Sequence, residues 1–460
     1  MYLRGSEEPH DRPEMDPMKN FLRLAFEKHT QPIIFVPLLV VYSKFSQKES
    51  RRGFKEIIEG DFENPSSLRR FMAFLRNYRN IMVRVCEPLD LFKFIESQVY
   101  DDHDLLAFML RRELIDRIDT EKKVIVGPVL KSRQEIITTT LMDSGLKATM
   151  EKMEERSGED FEKVRRKAKD YLEEIAADYD PTYIKIWDTI LTWILNNIYD
   201  GIIIDKEGLS KVREVSKKAP LVIIPSHKSH MDYLILSYIF LRNHMHPPFI
   251  AAGVNLSFWP LGRFFRKSGA FFMRRHFKGN RLYGKIFSTY VKILIKEGYS
   301  LEFFIEGGRS RTGKLVLPKY GLISLLLQAY DEGMCSDLFF VPVSIAYERV
   351  IEEKSYIKEL EGNSKEREGL VSLIKSRKLL KKRYGKVYIN FDNPISLKEH
   401  INCSISNYDN KKRGEKKIIC TKMAYRIVQS INKMTMVTPF SLVACALLSS
   451  YRRGISYRNL

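Results

Sequence analysis

The chain has little cysteine and no recognisable export signal, and both shortages narrow the kinds of protein it can be. Its 460 residues include five cysteines, which are scattered, odd in number and never arranged as C-x-x-C. This pattern argues against a disulfide framework or a zinc ribbon and is typical of a reducing compartment. The N-terminus, MYLRGSEEPHDRPEMDP, lacks an apolar stretch, so we expect no secretion signal.

Long apolar runs are also scarce. Residues 30–43 are uncharged but are interrupted by Pro32 and Pro37, and residues 434–451 contain Pro439 and several hydroxyl side chains. A helix that spans a bilayer needs about 20 mostly apolar residues. We therefore expect a chain that is soluble or bound at a membrane surface.

Acidic residues are outnumbered by basic ones. The chain has 77 lysines and arginines against 57 aspartates and glutamates, a net charge of +20, while its 44% hydrophobic content is ample for a packed core. Such a charge favours an anionic partner, which could be nucleic acid, anionic lipid headgroups or an acidic carrier protein. Charge alone does not choose among these, although no familiar nucleic-acid recognition motif is present.

The texture of the sequence divides it into three regions. Residues 1–200 are predicted to be mostly helical, residues 201–400 to be an α/β domain, and residues 401–460 to be helical again. In the middle region short apolar runs alternate with helical stretches, as expected for buried strands of an α/β sheet. The predicted strands are residues 221–225, 248–253, 300–306, 337–345 and 386–391.

The sequence IIPSHKSHMDYLIL (residues 223–236) predicts a strand, a polar turn and a helix. Residues five apart on one helix point roughly 140° apart, so His227 and Asp232 can meet only if His227 lies in the turn. A carboxylate on one imidazole nitrogen would leave the other nitrogen free to accept a hydroxyl proton. A capping turn with surface histidines is the plainer alternative. A zinc site of His227, His230, His244 and His246 is disfavoured because no Cys or Glu completes a usual ligand spacing.

Two further clusters are rich in arginine. SGAFFMRRHFKGNR (268–281) places Arg274 and Arg275 after an aromatic pair, and guanidinium groups match phosphate oxygens well, although a solvated basic turn has the same composition. LEFFIEGGRSRTGK (301–314) predicts a strand that ends at Glu306, followed by a glycine turn whose N–H groups could approach an anion or a developing oxyanion.

Residues 308–314 also match G-x-x-x-x-G-K, the start of a P-loop. The next position is Leu315, where a P-loop needs Ser or Thr to bind Mg²⁺, and Pro318 would interrupt the helix that should follow. We therefore predict that this segment is not a nucleotide site. A fourth segment, FFVPVSIAYERV (339–350), reads as a buried strand that contains Pro342.

Taken together, the four segments resemble, in order and spacing, the four signature blocks of the glycerolipid acyltransferase family. The blocks are HKSHMD, SGAFFMRR, FIEGGRSRTGK and VPVSIAYER, and the intervening AAGVNLSFWPLGRFFRKSG also resembles bacterial membrane-associated glycerol-3-phosphate 1-O-acyltransferases. The resemblance implies an α/β fold with a mixed sheet flanked by helices. It also implies that the chain is abbreviated, since those proteins continue beyond the point where this chain ends.

The resemblance carries roles onto individual residues. His227 would be the catalytic base and Asp232 its orienting carboxylate. The residues that would bind the acceptor phosphate or organise the site are Arg274, Arg275, Glu306, Gly307, Arg309, Ser310 and Arg311, and Pro342 would fall where acyl-donor or acceptor contacts are thought to lie.

The expected activity is transfer of a fatty acyl group from acyl-CoA or acyl-carrier protein to the sn-1 hydroxyl of glycerol-3-phosphate. The EGGRSRTGK form of the third block favours this acceptor over lysophosphatidate, while dihydroxyacetone phosphate is a nearer rival. No metal or nucleotide cofactor is expected, and nucleic acid is not an expected partner. An anionic membrane surface is an expected partner, and the chain is expected to be peripheral on the cytoplasmic face of the inner membrane.

Overall fold

The structure is a computed structural model, and it describes a subset of the chain in detail. The described residues are 17–27, 32–41, 82–98, 102–258, 261–274, 279–362, 382–406, 408–409 and 412–449. Two compact units are present, residues 1–127 and residues 128–460. The predicted boundaries near residues 200 and 400 stay predictions.

The first unit combines helices with short antiparallel strands. Its elements are α1 Pro17–Glu27, β1 Ile34–Phe35, β2 Leu38–Val41, β3 Met82–Val85, β4 Leu89–Asp90, α2 Leu91–Glu96 and α3 His103–Val126. Strand β1 pairs with β4 and β2 pairs with β3. The strands depart from the mostly helical prediction, because the β-branched run around residues 34–41 buries alternate side chains, with Leu39 and Val41 inside.

The second unit begins with four helices. They are α4 Arg133–Leu141, α5 Ser144–Ser157, α6 Phe161–Ile175 and α7 Pro181–Ile198. Helix α6 buries Val164, Ala168 and Leu172, which recur every four residues on one face. Helix α7 starts at Pro181 with Asp180 as its N-cap, and it buries one face around Trp187 and Leu191. The opposite face exposes Ile190 and Trp193.

The α/β part of the second unit follows in chain order. Its elements are β5 Gly201–Ile204, α8 Lys206–Ser216, β6 Leu221–Pro225, α9 Asp232–Arg242, β7 Phe249–Gly253, α10 Leu261–Lys267, β8 Ala270–Met273, α11 Arg281–Lys296, β9 Leu301–Glu302, α12 Gly321–Asp331, β10 Phe339–Tyr347, α13 Glu353–Leu360, β11 Lys386–Phe391 and β12 Ile395–Ser396. Three helices follow, α14 Leu397–Ser404, α15 Arg413–Lys433 and α16 Pro439–Ser449.

One mixed sheet organises these elements, as predicted. The strand order is β5-β11-β10-β6-β9-β7-β8, with β12 beside the start of β10. Strands β10, β6, β9, β7 and β8 are mutually parallel, β11 runs antiparallel to β10, and β5 runs parallel to β11. The carboxyl ends of the five parallel strands therefore lie at one edge, where ligands bind in open α/β sheets.

Four of the five predicted strands agree with β6, β7, β10 and β11 to within two residues, whereas the fifth is shorter than predicted and strands β5, β8 and β12 were not predicted. The run 300–306 forms only two residues of strand, because the chain leaves the sheet after Glu302 to build the turn that carries Glu306. Strand β8 was not predicted, since its AFFM sequence is only four residues long and was interpreted together with the arginines that follow.

The C-terminal helices differ in burial. Helix α15 buries Ile419, Met423, Ile427 and Ile431, whereas α16 has no buried residue and exposes Phe440 and Leu448. In the described part of the chain, no helix combines the length and the apolarity that crossing a bilayer requires.

Candidate active site

The turn between β6 and α9 brings together the two residues predicted to form a catalytic pair. Strand β6 ends at Pro225 and α9 begins at Asp232, so His227 lies in the turn. The Nδ1 atom of His227 is 2.9 Å from Oδ2 of Asp232. The predicted contact is confirmed, and it exists because the turn replaces helical geometry between the two residues.

The carboxylate of Asp232 is wholly buried, and both of its oxygens have partners. Oδ2 also accepts hydrogen bonds from the backbone N–H groups of Lys228 (2.7 Å) and Ser229 (2.9 Å). Oδ1 accepts the hydroxyl of Tyr347 at 2.6 Å, from the carboxyl end of β10. These donors compensate the burial of the charge and hold the carboxylate in one orientation.

The imidazole of His227 is held by its surroundings but remains accessible. Its ring stacks on Phe304 with 3.7 Å between centroids and 21° between planes. About 13% of the side chain is exposed. An accessible imidazole whose Nδ1 faces a carboxylate can present Nε2 to a hydroxyl group, as general-base catalysis requires.

Glu306 joins the glycine turn that follows it to the turn between β6 and α9, which carries His227 and is called the histidine turn below. Its Oε1 accepts the backbone N–H of His227 at 2.8 Å, and its Oε2 accepts the N–H of Val316 at 2.9 Å. Burial raises the pKa of Glu306, and these two donors oppose that shift. The next residue, Gly307, has a φ of +65°, a left-handed conformation that favours glycine.

Arg309 contacts a buried carboxylate behind the histidine turn. Its guanidinium is 3.3 Å from Oε1 of Glu352 and 3.1 Å from the hydroxyl of Tyr356. Glu352 also accepts the hydroxyl of Ser229 and the N–H of His230, both at 2.9 Å. Arg309 is thus connected to the turn that carries His227.

Ser310 and Arg311 continue the same loop. The N–H of Ser310 donates to the carbonyl of His227 at 2.8 Å, and its hydroxyl donates to the carbonyl of Lys314. Nε of Arg311 donates to Glu359 on α13 at 2.8 Å, and the guanidinium lies 4.8 Å from the centre of the Tyr356 ring. Two arginines therefore lie within one loop that is bonded to the backbone of His227.

Arg274, unlike Arg309 and Arg311, contacts a helix of the N-terminal part of the second unit. It follows β8, and its guanidinium makes a bidentate contact with Glu174 of α6 at 2.8 and 2.6 Å. This hydrogen-bonded partner raises the pKa of Arg274. Strands β6 and β8 are three places apart, about 14 Å across the sheet, and no contact joins Arg274 to Arg309 or Arg311 among the described residues. Arg275 lies outside the described residues.

Pro342 lies in the interior of the sheet. It is in register with Ile224 of β6, five residues before the end of β10. The structure places it beside the strand that leads to His227, not beside the imidazole itself. Its predicted contact with substrate stays a prediction.

Glu302 is a buried carboxyl group that sequence analysis did not single out. It lies in β9 in register with Ile223 and Ile250, and neither of its oxygens has a hydrogen-bond partner among the described residues. Burial raises its pKa well above the usual value, and the charge of Asp232 raises it further. This environment therefore favours the protonated form of the Glu302 carboxyl over a wider pH range than an exposed glutamate would keep it.

The two alternative chemistries lack the required geometry. Within the described residues, no three His, Cys, Asp or Glu side chains are arranged to hold a metal ion. After the P-loop-like segment the next helix begins only at Gly321, so Lys314 does not open a helix as it does in a P-loop.

Sequence analysis did not identify four residues that contact the candidate site residues, namely Tyr347, Glu352, Tyr356 and Glu359. Tyr347 had a usable signal, because the alternation of β10 places it on the same face as Val343 and Ile345 at the strand's end. Glu352 and Glu359 had none, since each is an ordinary acidic residue far along the chain from its partner.

Comparison with known proteins covers nearly the whole chain. Residues 2–127 match the family model described as "Glycerol-3-phosphate acyltransferase PlsB N-terminal domain". Residues 204–346 match "Acyltransferase", and residues 356–460 match "Glycerol-3-phosphate acyltransferase C-terminal region". The first match ends at the residue that ends the first compact unit.

Individual relatives agree with these matches. The chain is 33% identical over 431 residues to "Glycerol-3-phosphate acyltransferase" of Ectopseudomonas mendocina, covering 92% of this chain and 52% of that protein. It is 34% identical over 450 residues to the protein of the same name from Actinobacillus succinogenes, covering 96% and 54%. The chain thus spans about half the length of the curated relatives it matches.

Among solved structures, the chain is similar to a 1-acyl-sn-glycerophosphate (LPA) acyltransferase, PlsC, from Thermotoga maritima. The identity is 15% and the TM-score 0.32, over 66% of this chain and 90% of that one.

Proposed function

Because the chain belongs to the glycerol-3-phosphate acyltransferase family, we propose that it transfers a fatty acyl group from an acyl thioester to the sn-1 hydroxyl of glycerol-3-phosphate. The observation that carries this proposal is the His227–Asp232 pair, whose backbone is hydrogen-bonded to a loop with two arginines. That arrangement places a base next to groups that can bind a phosphate.

The reaction uses His227 as a base and then as an acid. Asp232 keeps the proton on Nδ1, so Nε2 accepts the proton of the sn-1 hydroxyl as its oxygen attacks the thioester carbonyl. When the tetrahedral intermediate collapses, the carbon–sulfur bond breaks and the departing sulfur receives that proton. The products are 1-acylglycerol-3-phosphate and a free thiol, and general-base help of this kind contributes about 10²–10⁴ in rate.

The substrate phosphate binds at the loop of residues 309–311. Arg309 and Arg311 both belong to the loop that donates to the His227 carbonyl, so a phosphate bound there holds the acceptor close to the base. Arg274 joins the end of β8 to helix α6 through its contact with Glu174. A role of Arg274 and Arg275 in binding the phosphate stays a prediction.

The oxyanion of the intermediate needs donors that are still free. The backbone N–H groups of residues 227–230 all donate to the carboxylates of Asp232, Glu306 or Glu352. We therefore assign the oxyanion donors to the turn at Gly308. Loss of one such donor costs about 3 kcal/mol of transition-state stabilisation.

The acyl donor and the membrane are the remaining partners. Both coenzyme A and acyl-carrier protein are anionic, and so is a bacterial membrane surface, which matches the net charge of +20. Helix α16 adds exposed apolar side chains such as Phe440 and Leu448. We propose peripheral binding to the cytoplasmic face of the inner membrane, without a metal or nucleotide cofactor; vesicle binding that is independent of ionic strength would contradict the electrostatic part.

Purified protein offered a labelled acyl thioester tests the reaction. Label is expected in 1-acylglycerol-3-phosphate when glycerol-3-phosphate is the acceptor. Preferential labelling of dihydroxyacetone phosphate or lysophosphatidate would move the activity to one of those branches. Mg²⁺-dependent nucleotide binding, or salt-sensitive DNA binding without acyl transfer, would support the other classes of protein.

The His227→Ala variant tests the mechanism. We expect kcat to fall by about 10²–10⁴, since the base is lost. Thermal unfolding should stay near that of the wild type, because Oδ2 of Asp232 keeps two backbone donors. The exposed His103 provides a control variant, His103→Ala, with unchanged turnover. Undiminished transfer by His227→Ala at saturating substrates would remove His227 from the mechanism.

A further inference from the structure

Arg309 and Arg311 differ in how their carboxylate partners are held. The partner of Arg309, Glu352, has a fully buried side chain and accepts two further hydrogen bonds, from Ser229 and His230. Removing Glu352 from Arg309 would also break the contacts that fix the histidine turn. The Glu352 carboxylate is therefore expected to keep its place when a substrate binds.

The partner of Arg311 is more accessible. The side chains of Arg311 and Glu359 are each about 19% exposed, and Nε of the arginine is 2.8 Å from Oε2 of the glutamate. The other end of the guanidinium donates to the carbonyl of Arg309 at 2.9 Å, and its plane lies near Tyr356. A solute that reaches this pair could replace the carboxylate without moving the rest of the guanidinium.

The position of Glu359 is unfavourable for helix stability. It lies in the last turn of α13, Glu353–Leu360, where the helix dipole disfavours negative charge. The ion pair with Arg311 offsets that cost while the pair is intact. A carboxylate at this position thus acts on Arg311 more than it stabilises its own helix.

We propose that Glu359 is a resident competitor for the guanidinium of Arg311, which the acceptor's phosphate displaces when it binds. This inference rests on the proposed function and specifies what happens at its phosphate site. A phosphate monoester carries up to two negative charges and presents a pair of oxygens to the guanidinium as a carboxylate does, so it competes effectively. Glycerol has no such group and leaves the ion pair intact, so the competition raises the KM of phosphorylated acceptors and leaves the binding of glycerol unchanged.

The Glu359→Gln variant tests this competition, because glutamine keeps the size of the side chain and removes its charge. The KM for glycerol-3-phosphate should fall by about two- to fivefold, the equivalent of one partly exposed ion pair. The KM for the thioester should not change. In an Arg311→Ala background, where KM for the acceptor is already raised, Glu359→Gln should have no further effect.

Glu353→Gln is the matched control. Glu353 lies on the same helix and pairs with Arg349 instead of a loop arginine, so this variant should keep the wild-type KM. A KM for glycerol-3-phosphate that rises or stays constant in Glu359→Gln would overturn the inference, and so would an equal effect of Glu353→Gln.

Direct binding of inorganic phosphate separates this inference from the proposed function. Calorimetric titration without thioester should show tighter phosphate binding by Glu359→Gln than by the wild type. If the protein acylates none of the acceptors, the proposed function fails, but this titration still tests the competition at Arg311. If acylation occurs and phosphate affinity is equal in the two proteins, only the inference about Glu359 fails.

Discussion

Replacing Glu302 by glutamine should change how the stability of the second unit depends on pH. The carboxyl has no exposed surface, lies in β9 between Ile223 and Ile250, and has no hydrogen-bond partner among the described residues. Burial raises its pKa well above the usual 4.5, and the nearby charge of Asp232 raises it further. The folded chain therefore keeps a proton that the unfolded chain releases above pH 4.5 or so.

The sign and size of the effect follow from proton linkage. The stabilisation that this proton gives is complete below the unfolded pKa and is lost as pH rises toward the folded pKa. Over that window each pH unit removes about 1.4 kcal/mol from the free energy of unfolding. Glu302→Gln, which has no proton to keep, should therefore gain stability relative to the wild type as the pH rises from 5.5.

Urea unfolding at pH 5.5, 6.5 and 7.5 measures this gap. The three tryptophans, Trp187, Trp193 and Trp259, all belong to residues 128–460, so their fluorescence reports on the second unit. Glu207→Gln on the exposed surface of α8 is the control and should show no pH-dependent gap. A difference between Glu302→Gln and the wild type that stays constant over this range would mean that the carboxyl is ionised in the folded state, and would refute the reasoning.

Two further variants test contacts that sequence analysis missed. Tyr347→Phe removes the hydroxyl donor 2.6 Å from Asp232, the proposed orienting carboxylate. It should lower kcat about tenfold in a steady-state assay, since hydrogen bonds to charged groups are worth about 1.5–3 kcal/mol. Tyr388→Phe on the neighbouring strand should leave kcat unchanged, and equal losses in the two variants would argue against a specific role of Tyr347. Glu174→Gln should lower thermal stability by about 1 kcal/mol, because it weakens the bidentate contact with Arg274; Glu173→Gln on the same helix is the control, and equal melting curves would contradict the role of that contact.

Local patterns were sufficient to predict the centre of the site. The strand, turn and helix around His227 are specified by residues 221–236, where an apolar run ends at Pro225 and another resumes at Asp232. The two residues of the proposed catalytic pair are only five positions apart, so their contact depends on that local conformation alone. The same holds for the glycine turn after Glu306, which a strand and two consecutive glycines predict.

The partners of these residues could not be predicted in the same way. Tyr347 is 115 residues from Asp232, Glu174 is 100 residues from Arg274, and Glu352 is 43 residues from Arg309. Each contact arises because parallel strands end at a common edge or because a helix packs there, and neither event leaves a periodic signal near the residue concerned. The basic neighbours of Arg274 predict a phosphate ligand, but they give no sign of Glu174 on helix α6, which the Arg274 guanidinium contacts.

The burial of the acidic side chains suggests how the site separates catalysis from binding. Asp232, Glu306 and Glu352 are all buried, and each accepts two hydrogen bonds or more from the turns around His227 or its loop, so moving any of them would disturb the base. Glu359 is partly exposed, and its contact with Arg311 lies outside this set of buried hydrogen bonds. Rearrangement on acceptor binding should therefore be confined to the Arg311 side of the loop, while the imidazole stays in its reactive orientation. On this basis, changes to the buried carboxylates should act mainly on kcat, and changes at Glu359 mainly on KM.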